Sequence, residues 1–198
     1  LTPLVEPLSL DEAYLDITAV VEEERRIPLA VALELKRQVN EQTGLTISIG
    51  AAISKSVAKI ASDLHKPDGL VVIEPGDERE FLAPLAVSKL WGIGPVTAER
   101  LNKAGVETIG QMAQQPLDWF NRQFGRRGRS IRAKALGLDR EVVHTEREAK
   151  SVSSENTFST DLANPEDLKT ALDKLASGVA GQLERKGMTA RTVTLKAR

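Results

Sequence analysis

A chain of 198 residues, 41% hydrophobic and 28% charged, has the balance of a globular protein with room for one domain or several small ones. It has no cysteine, which excludes disulfides and thiolate metal sites and is consistent with a cytoplasmic location, and no apolar run approaches the roughly 20 residues of a membrane span, so no membrane partner is expected. The net charge of −1 conceals an asymmetry: residues 1–83 sum to −7, residues 84–150 to +5 and the remainder to +1, which suggests cation binding in front and polyanion binding in the middle.

Taken in order, Val5-Glu6-Pro7-Leu8 and Ala13-Tyr14-Leu15-Asp16-Ile17 both alternate as half-buried strands do. They predict a β-hairpin with the adjacent carboxylates Asp11 and Glu12 at its tip. Neighbouring strand residues point to opposite faces, so two such carboxylates serve one site only where the chain bends. An isolated Asp-Glu pair is ordinarily a solvated turn. Leu1 falls inside what reads as a strand, so the chain is expected to begin within a domain.

The run Glu22-Glu23-Glu24-Arg25-Arg26 reads as a solvated loop or helix start without function. Leu29, Ala32, Leu33, Leu35 and Val39 recur at helical spacing up to Asn40, with Gly44 as a stop. Leu45, Ile47 and Ile49 then alternate as a strand, and Gly50-Ala51-Ala52 continues it with residues small enough for close backbone approach. Ser54 caps a helix whose face is Val57, Ile60, Ala61 and Leu64, ending before Pro67. Lys66-Pro67-Asp68-Gly69 is a turn and Leu70-Val71-Val72-Ile73 a buried strand. On these residues alone Lys66 is an ordinary surface lysine.

Glu74-Pro75-Gly76 marks a boundary. Beyond it, Leu90-Trp91-Gly92-Ile93-Gly94-Pro95-Val96-Thr97-Ala98-Glu99-Arg100-Leu101 reads as a helix-hairpin-helix. Gly92 and Gly94 allow a tight turn with positive φ and leave amides uncovered, Pro95 suits a first helical turn, and the helix start then faces a phosphate. A plain corner between helices is the alternative. Gly105, Gly125 and Gly137 stand where left-handed caps are expected, giving four or five short helices. Arg122, Arg126, Arg127, Arg129, Arg132 and Lys134 form a run with no acid until Asp139; such a run is usually a solvated face, but beside phosphate-binding amides it extends a track for DNA. Trp119, Phe120 and Phe124 fit one helix face and read as core.

Residues 141–150 lack periodicity, as a linker does. Lys150-Ser151-Val152-Ser153 opens an alternating strand into Phe158, Pro165 starts a helix with the face Leu168, Ala171, Leu172, Leu175, Val179 and Leu183, and Thr192 to Lys196 alternate again. This predicts β-α-β with a large apolar face left open.

The string Ser9-Leu10-Asp11-Glu12-Ala13-Tyr14-Leu15-Asp16, the Lys66-Pro67-Asp68-Gly69 turn and the Gly92-x-Gly94-Pro95 hairpin stand in the order and spacing that resemble the Y-family DNA polymerases, the translesion enzymes. The resemblance implies an α+β fold: a ferredoxin-like palm over 1–74, an all-helical thumb with the helix-hairpin-helix over 75–140, a linker over 141–150, and the first half of a little finger over 151–198. It implies that Asp11 and Glu12 are catalytic and bind metal, Asp11 as the bridging aspartate. Lys66 then holds the triphosphate, with Lys55 and Lys59 as weaker candidates. Gly92, Gly94, Thr97, Arg126, Arg127, Arg129 and Ser151 lie along DNA. The implied cofactors are two Mg²⁺ ions, and the implied partners are primer-template DNA, a deoxynucleoside triphosphate and, in the complete enzyme, a sliding clamp. Asp16 is expected to be structural, and His65 and His144 not to be ligands.

The family's first metal-binding aspartate and its fingers precede the residues present here, and its clamp-binding tail follows them. The chain is therefore expected to be a fragment, weakly active or inactive alone. The rival reading is a non-catalytic DNA-binding module on the helix-hairpin-helix. A mere binding module has no need of Asp11, Glu12 and Lys66 together.

Overall fold

The computed structural model of the chain describes residues 1–146 and 149–197. Val5–Pro7 (β1) and Ala13–Leu15 (β2) pair antiparallel, with Glu6 opposite Tyr14. The Leu8 and Ser9 amides close the turn by donating to the Glu12 carbonyl at 2.8 and 3.2 Å, which leaves Asp11 and Glu12 at the tip of the expected hairpin. Asp16 then fixes the start of α1 (Thr18–Glu22) by accepting the Thr18 amide at 2.9 Å, and that hydrogen bonding holds its carboxyl below the usual carboxylate range. The acidic run begins on the last residue of α1 and continues beyond it.

Helix α2 (Pro28–Thr43) starts with proline in its first turn and stops at Gly44, whose φ of 71° is the left-handed cap its position demands. The strand expected from Leu45 is confined to Ile49–Ala51 (β3), paired parallel with Leu70–Val72 (β4). The shortening has a local cause: the Ile47 carbonyl accepts the Lys36 ammonium at 2.6 Å instead of a strand neighbour, and β4 offers only three residues of ladder. Residues 1–74 therefore show two two-stranded sheets, β1-β2 and β3-β4.

Helix α3 (Lys55–Leu64) links β3 to β4 and is capped by Ser54, whose hydroxyl accepts the Val57 amide at 3.3 Å. It lies directly on Gly50. A Cβ there would stand 2.1 Å from the Ala58 carbonyl oxygen and 2.4 Å from the Ser62 amide nitrogen, so only glycine admits this contact.

The following segment is helical throughout: α4 (Glu78–Leu82), a 3-10 turn at Val87–Lys89, α5 (Pro95–Lys103), α6 (Ile109–Ala113), α7 (Leu117–Phe124), a second 3-10 turn at Gly125–Arg127, and α8 (Gly128–Ala135). Gly105, Gly125 and Gly137 all have positive φ. Phe120 is fully buried, with Trp119 edge-on to both it and Phe124 and the Phe124 ring tilted against it, so the aromatic residues are core as expected. One apolar cluster joins Leu82, Leu90, Leu101, Ile109 and Met112 to Val57, Ile60 and Ile73, and so runs without interruption across residues 74 and 75.

Leu1–Glu146 form one compact unit. The second, covering the rest of the chain, is built on α9 (Pro165–Arg185), capped by Asn164, which accepts the Glu166 amide at 2.9 Å. Here the expected β-α-β is realised as its helix alone. Residues 151–158 and 192–196 carry no strand, because no ladder partner takes their amides and carbonyls, and no residue of α9 is buried. The linker residues 147 and 148, and residue 198, lie outside the described residues.

Replacing Gly50 with alanine is expected to overpack the β3-α3 contact and destabilise the first unit by about 1–3 kcal/mol or more. Thermal unfolding followed by circular dichroism checks this; an unchanged midpoint would show that α3 can retreat from β3 at no cost.

Candidate active site

The acidic tip is held by α3. Lys55, Lys59 and Asp63 recur every four residues along that helix and so share one face. At the base of the hairpin, Lys55 Nζ lies 2.6 Å from Glu6 Oε2, the two side chains being 6% and 2% exposed. At the tip, Lys59 Nζ donates to Glu12 Oε1 at 3.0 Å and to Asp63 Oδ2 at 2.8 Å. Lys66 Nζ stands 2.7 Å from Asp63 Oδ1 and 3.6 Å from Glu12 Oε1. Glu12 and Lys66 are thus brought together across 54 residues of sequence, with Lys59 between them.

Asp11 is exposed beside them and turned onto its own loop, its Oδ1 accepting the Ser9 hydroxyl at 2.6 Å. That hydrogen bond, and more weakly the charges of Lys66 and Lys59, hold its carboxyl below the usual carboxylate range. The Asp63 hydrogen bond lifts Lys66 above the ordinary lysine value. Burial works against charged Lys59, but its bonds to Asp63 and Glu12 outweigh burial and lift it too. Both lysines are therefore cationic at neutral pH, and Asp11 is anionic.

The Lys66 turn is itself fixed. Lys36 Nζ donates to the Asp68 carbonyl at 2.8 Å and pairs with its carboxylate, while the Gly69 amide donates to the Ser48 hydroxyl at 3.0 Å. Lys55 is not available to a ligand at the tip, being buried against Glu6 with the Tyr14 ring 5.0 Å from its ammonium. Asp63 was not singled out from the sequence, although its spacing to Lys59 and Lys66 could have indicated it. For Glu6, a glutamate at a buried strand position, no such signal existed.

Chemically, two oxygen donors beside two ammonium groups suit a hard divalent cation and a polyphosphate. Asp11 and Glu12 are the right kind of donor for Mg²⁺, which takes few protein ligands and keeps waters. Among the described residues, no group of three or more acidic, histidine or cysteine side chains is arranged to hold a metal.

A second surface surrounds Gly92. This residue has φ of 99°, as a tight turn requires, and its carbonyl accepts Arg127 Nη2 at 3.4 Å. Gly94 departs from expectation: its φ of −80° and ψ of 170° are ordinary extended backbone. Its value lies in the missing side chain, because it caps α5 with nothing over it and no side chain takes the first helical amides. Thr97 is half-buried on that first turn. The basic run divides, with Arg122, Arg126, Arg127 and Arg129 exposed while Arg132 is partly buried and Lys134 Nζ stands 4.4 Å from the centre of the Trp91 ring. Trp91 meets Tyr14 edge-on at 6.3 Å, which ties this turn to the acidic hairpin. Ser151 lies in the second unit, on a segment without regular structure.

Residues 1–63 match the impB/mucB/samB family, residues 75–106 the IMS family HHH motif, and residues 149–198 the impB/mucB/samB family C-terminal domain. Among similar curated proteins, DNA polymerase IV of Alkalilimnicola ehrlichii is 45% identical over 197 residues, covering 100% of this chain and 55% of the relative. DNA polymerase IV of Streptomyces coelicolor is 42% identical over 201 residues, covering 100% and 42% respectively. The chain spans about half the length of the curated relatives it matches. Among solved structures, a Y-family DNA polymerase chimera superposes with a TM-score of 0.75 at 28% identity, over 91% of this chain and 52% of that one. DinB from Sulfolobus solfataricus gives 0.63 at 32% identity, over 72% and 42%. With three segments matching one family in chain order, and with relatives and structures that agree, the chain belongs to the impB/mucB/samB family of Y-family DNA polymerases.

Proposed function

We propose that these residues form part of a template-directed DNA polymerase of the translesion class, which adds deoxynucleotides to a primer by two-metal nucleotidyl transfer. The observation that carries this reading is the meeting of Glu12 with Lys59 and Lys66, at 3.0 and 3.6 Å, on a turn and a helix that are each fixed by other contacts. Asp11 and Glu12 would hold Mg²⁺, which when bound activates the primer 3′-hydroxyl and offsets charge on the departing pyrophosphate. Lys66 and Lys59 meet the triphosphate of the incoming nucleotide, and Asp63 keeps both charged and aimed at it. Fixed cations of this kind stabilise charge that grows in the transition state without reorganising when it does.

In this reading residues 1–74 are the palm, 75–140 the thumb and the second unit the beginning of the little finger. The uncovered amides at the start of α5 and the exposed Arg126, Arg127 and Arg129 follow the primer-template backbone, with Thr97 beside the first and Ser151 a further contact. The activity belongs with its DNA substrate, in the cytoplasm. A sliding clamp as partner of the complete enzyme rests on the family resemblance alone.

Two outcomes test the reading. Joined to the remainder of the Alkalilimnicola ehrlichii relative in place of its matching half, the chain is expected to extend a primer in Mg²⁺. Glu12→Gln or Asp11→Asn should then lower kcat by about a hundredfold or more, and Lys66→Ala should raise KM for the nucleotide by about tenfold. Parental rates in the carboxylate variants would remove Asp11 and Glu12 from the site.

The second outcome is read on the chain itself, by fluorescence anisotropy with labelled primer-template. Affinity is expected to fall steeply with salt, and Arg126→Ala, Arg127→Ala and Arg129→Ala together to flatten the slope by about 0.9 for each phosphate no longer neutralised. Gly94→Val should weaken binding at every salt concentration with little change of slope, by covering the α5 amides. Affinity indifferent to salt and to both changes would make residues 75–140 a helical spacer.

A further inference from the structure

Helix α3 touches the acidic hairpin at two points one turn apart, and they differ in kind. At the tip the Lys59–Glu12 pair is open to solvent, its side chains 20% and 35% exposed. At the base the Lys55–Glu6 pair is closed. Lys55 Nζ also donates to the Val142 carbonyl at 3.0 Å, and Glu6 Oε2 also accepts the His144 amide at 2.8 Å. The Glu141 carboxylate stands 3.9 Å from Lys55. Strand β1, helix α3 and the segment 141–144 thus all end on one buried ion pair.

Exposed pairs exchange readily with water and ions, whereas a buried pair cannot lose one partner without stranding the other charge. Among the described residues the hairpin has no third strand, and it has only three residues on each side, so its own ladder does little to fix its direction. What aims the tip is the base contact. Glu6 stands directly opposite Tyr14, whose ring covers Lys55, and five residues before Asp11.

We propose that Lys55 and Glu6 are positioning residues for the acidic tip: they fix the hairpin on α3 so that Asp11 and Glu12 meet a divalent cation in one place, and they moor segment 141–144 to the same point. This rests on the reading of Asp11 and Glu12 as cation ligands. The pair itself touches neither cation nor substrate. It acts through the direction it gives the hairpin.

The test uses the chain as it stands, with Mn²⁺ as the probe because it favours the same oxygen donors and is visible by electron paramagnetic resonance. Amide hydrogen exchange is read at Leu8 and Ser9, which close the tip, and at His144. Glu6→Met combined with Lys55→Met replaces the pair by apolar groups of similar bulk, a change that buried pairs tolerate. The double variant is expected to keep its melting midpoint close to the parent's. Its tip and His144 amides should nonetheless exchange about tenfold faster, and its Mn²⁺ affinity should fall about fivefold or more. Lys55→Arg, which keeps the charge, should restore most of both.

Glu12→Gln serves as the reference: it should weaken Mn²⁺ binding while His144 exchange stays parental. A folded double variant with parental exchange and parental Mn²⁺ affinity overturns the positioning role and leaves the site standing. A Glu12→Gln variant with parental Mn²⁺ affinity overturns the reading of the site, and this proposal with it. Should the double variant not fold, Glu6→Gln, which keeps an acceptor in the same place, takes its part: faster exchange with weaker Mn²⁺ binding supports the positioning role, and parental values of both overturn it.

Discussion

A two-stranded hairpin with three residues on each side is marginal in water, and this one carries the adjacent carboxylates Asp11 and Glu12 at its tip. Its placement depends on charge more than on ladder bonds. The inward face of β1 presents Glu6, and the matching cation is the first residue of α3. That helix is in turn pinned to β3 by the close approach over Gly50 and capped by Ser54, so a local rule of helix starting and a local rule of packing together set the position of an acidic loop far away in sequence.

The same helix supplies the hinge between two chemistries. Its apolar side, Val57, Ile60 and Ala61, is buried in the cluster that also holds the helices after residue 78. Its polar side carries Lys55, Lys59 and Asp63 toward the hairpin. An acidic front and a basic middle are therefore joined by a shared core rather than by a tether, and Tyr14 against Trp91 adds a ring contact between the acidic hairpin and the Gly92 turn.

Local chemistry was legible in the sequence wherever one residue settles a local geometry: Gly44, Gly105 and Gly137 as positive-φ stops, Gly92 as a positive-φ turn, Ser54 as a cap, Pro95 and Pro165 as helix starts. Strands were less legible, because alternation records which face can be buried and not whether a neighbour exists to complete the ladder. Thus Leu45 to Ser48, Ser151 to Phe158 and Thr192 to Lys196 alternate without becoming strands. Gly94 was half legible, its bare space as expected and its positive φ not, since the sequence distinguishes neither positive φ from bare space nor a turn residue from a cap. In the candidate site, Asp11, Glu12 and Lys66 stood out by motif, whereas Asp63 did not, although its spacing to Lys59 and Lys66 could have indicated it. Glu6 did not, because burial of a carboxylate depends on a partner 49 residues away.

The tip also has a thermodynamic consequence. In the structure Glu12 is already neutralised by Lys59 and Lys66, and those lysines are in turn occupied by Glu12 and Asp63. A cation that takes Glu12 Oε1 competes with these ion pairs, and displacing one releases an ammonium group. A polyphosphate that takes the lysines likewise releases a carboxylate. Each ligand removes the other's competitor, and because linkage is reciprocal the two affinities rise together by the same factor. A site that took both ligands at these groups would discriminate against either alone and fill most readily with the neutralised pair.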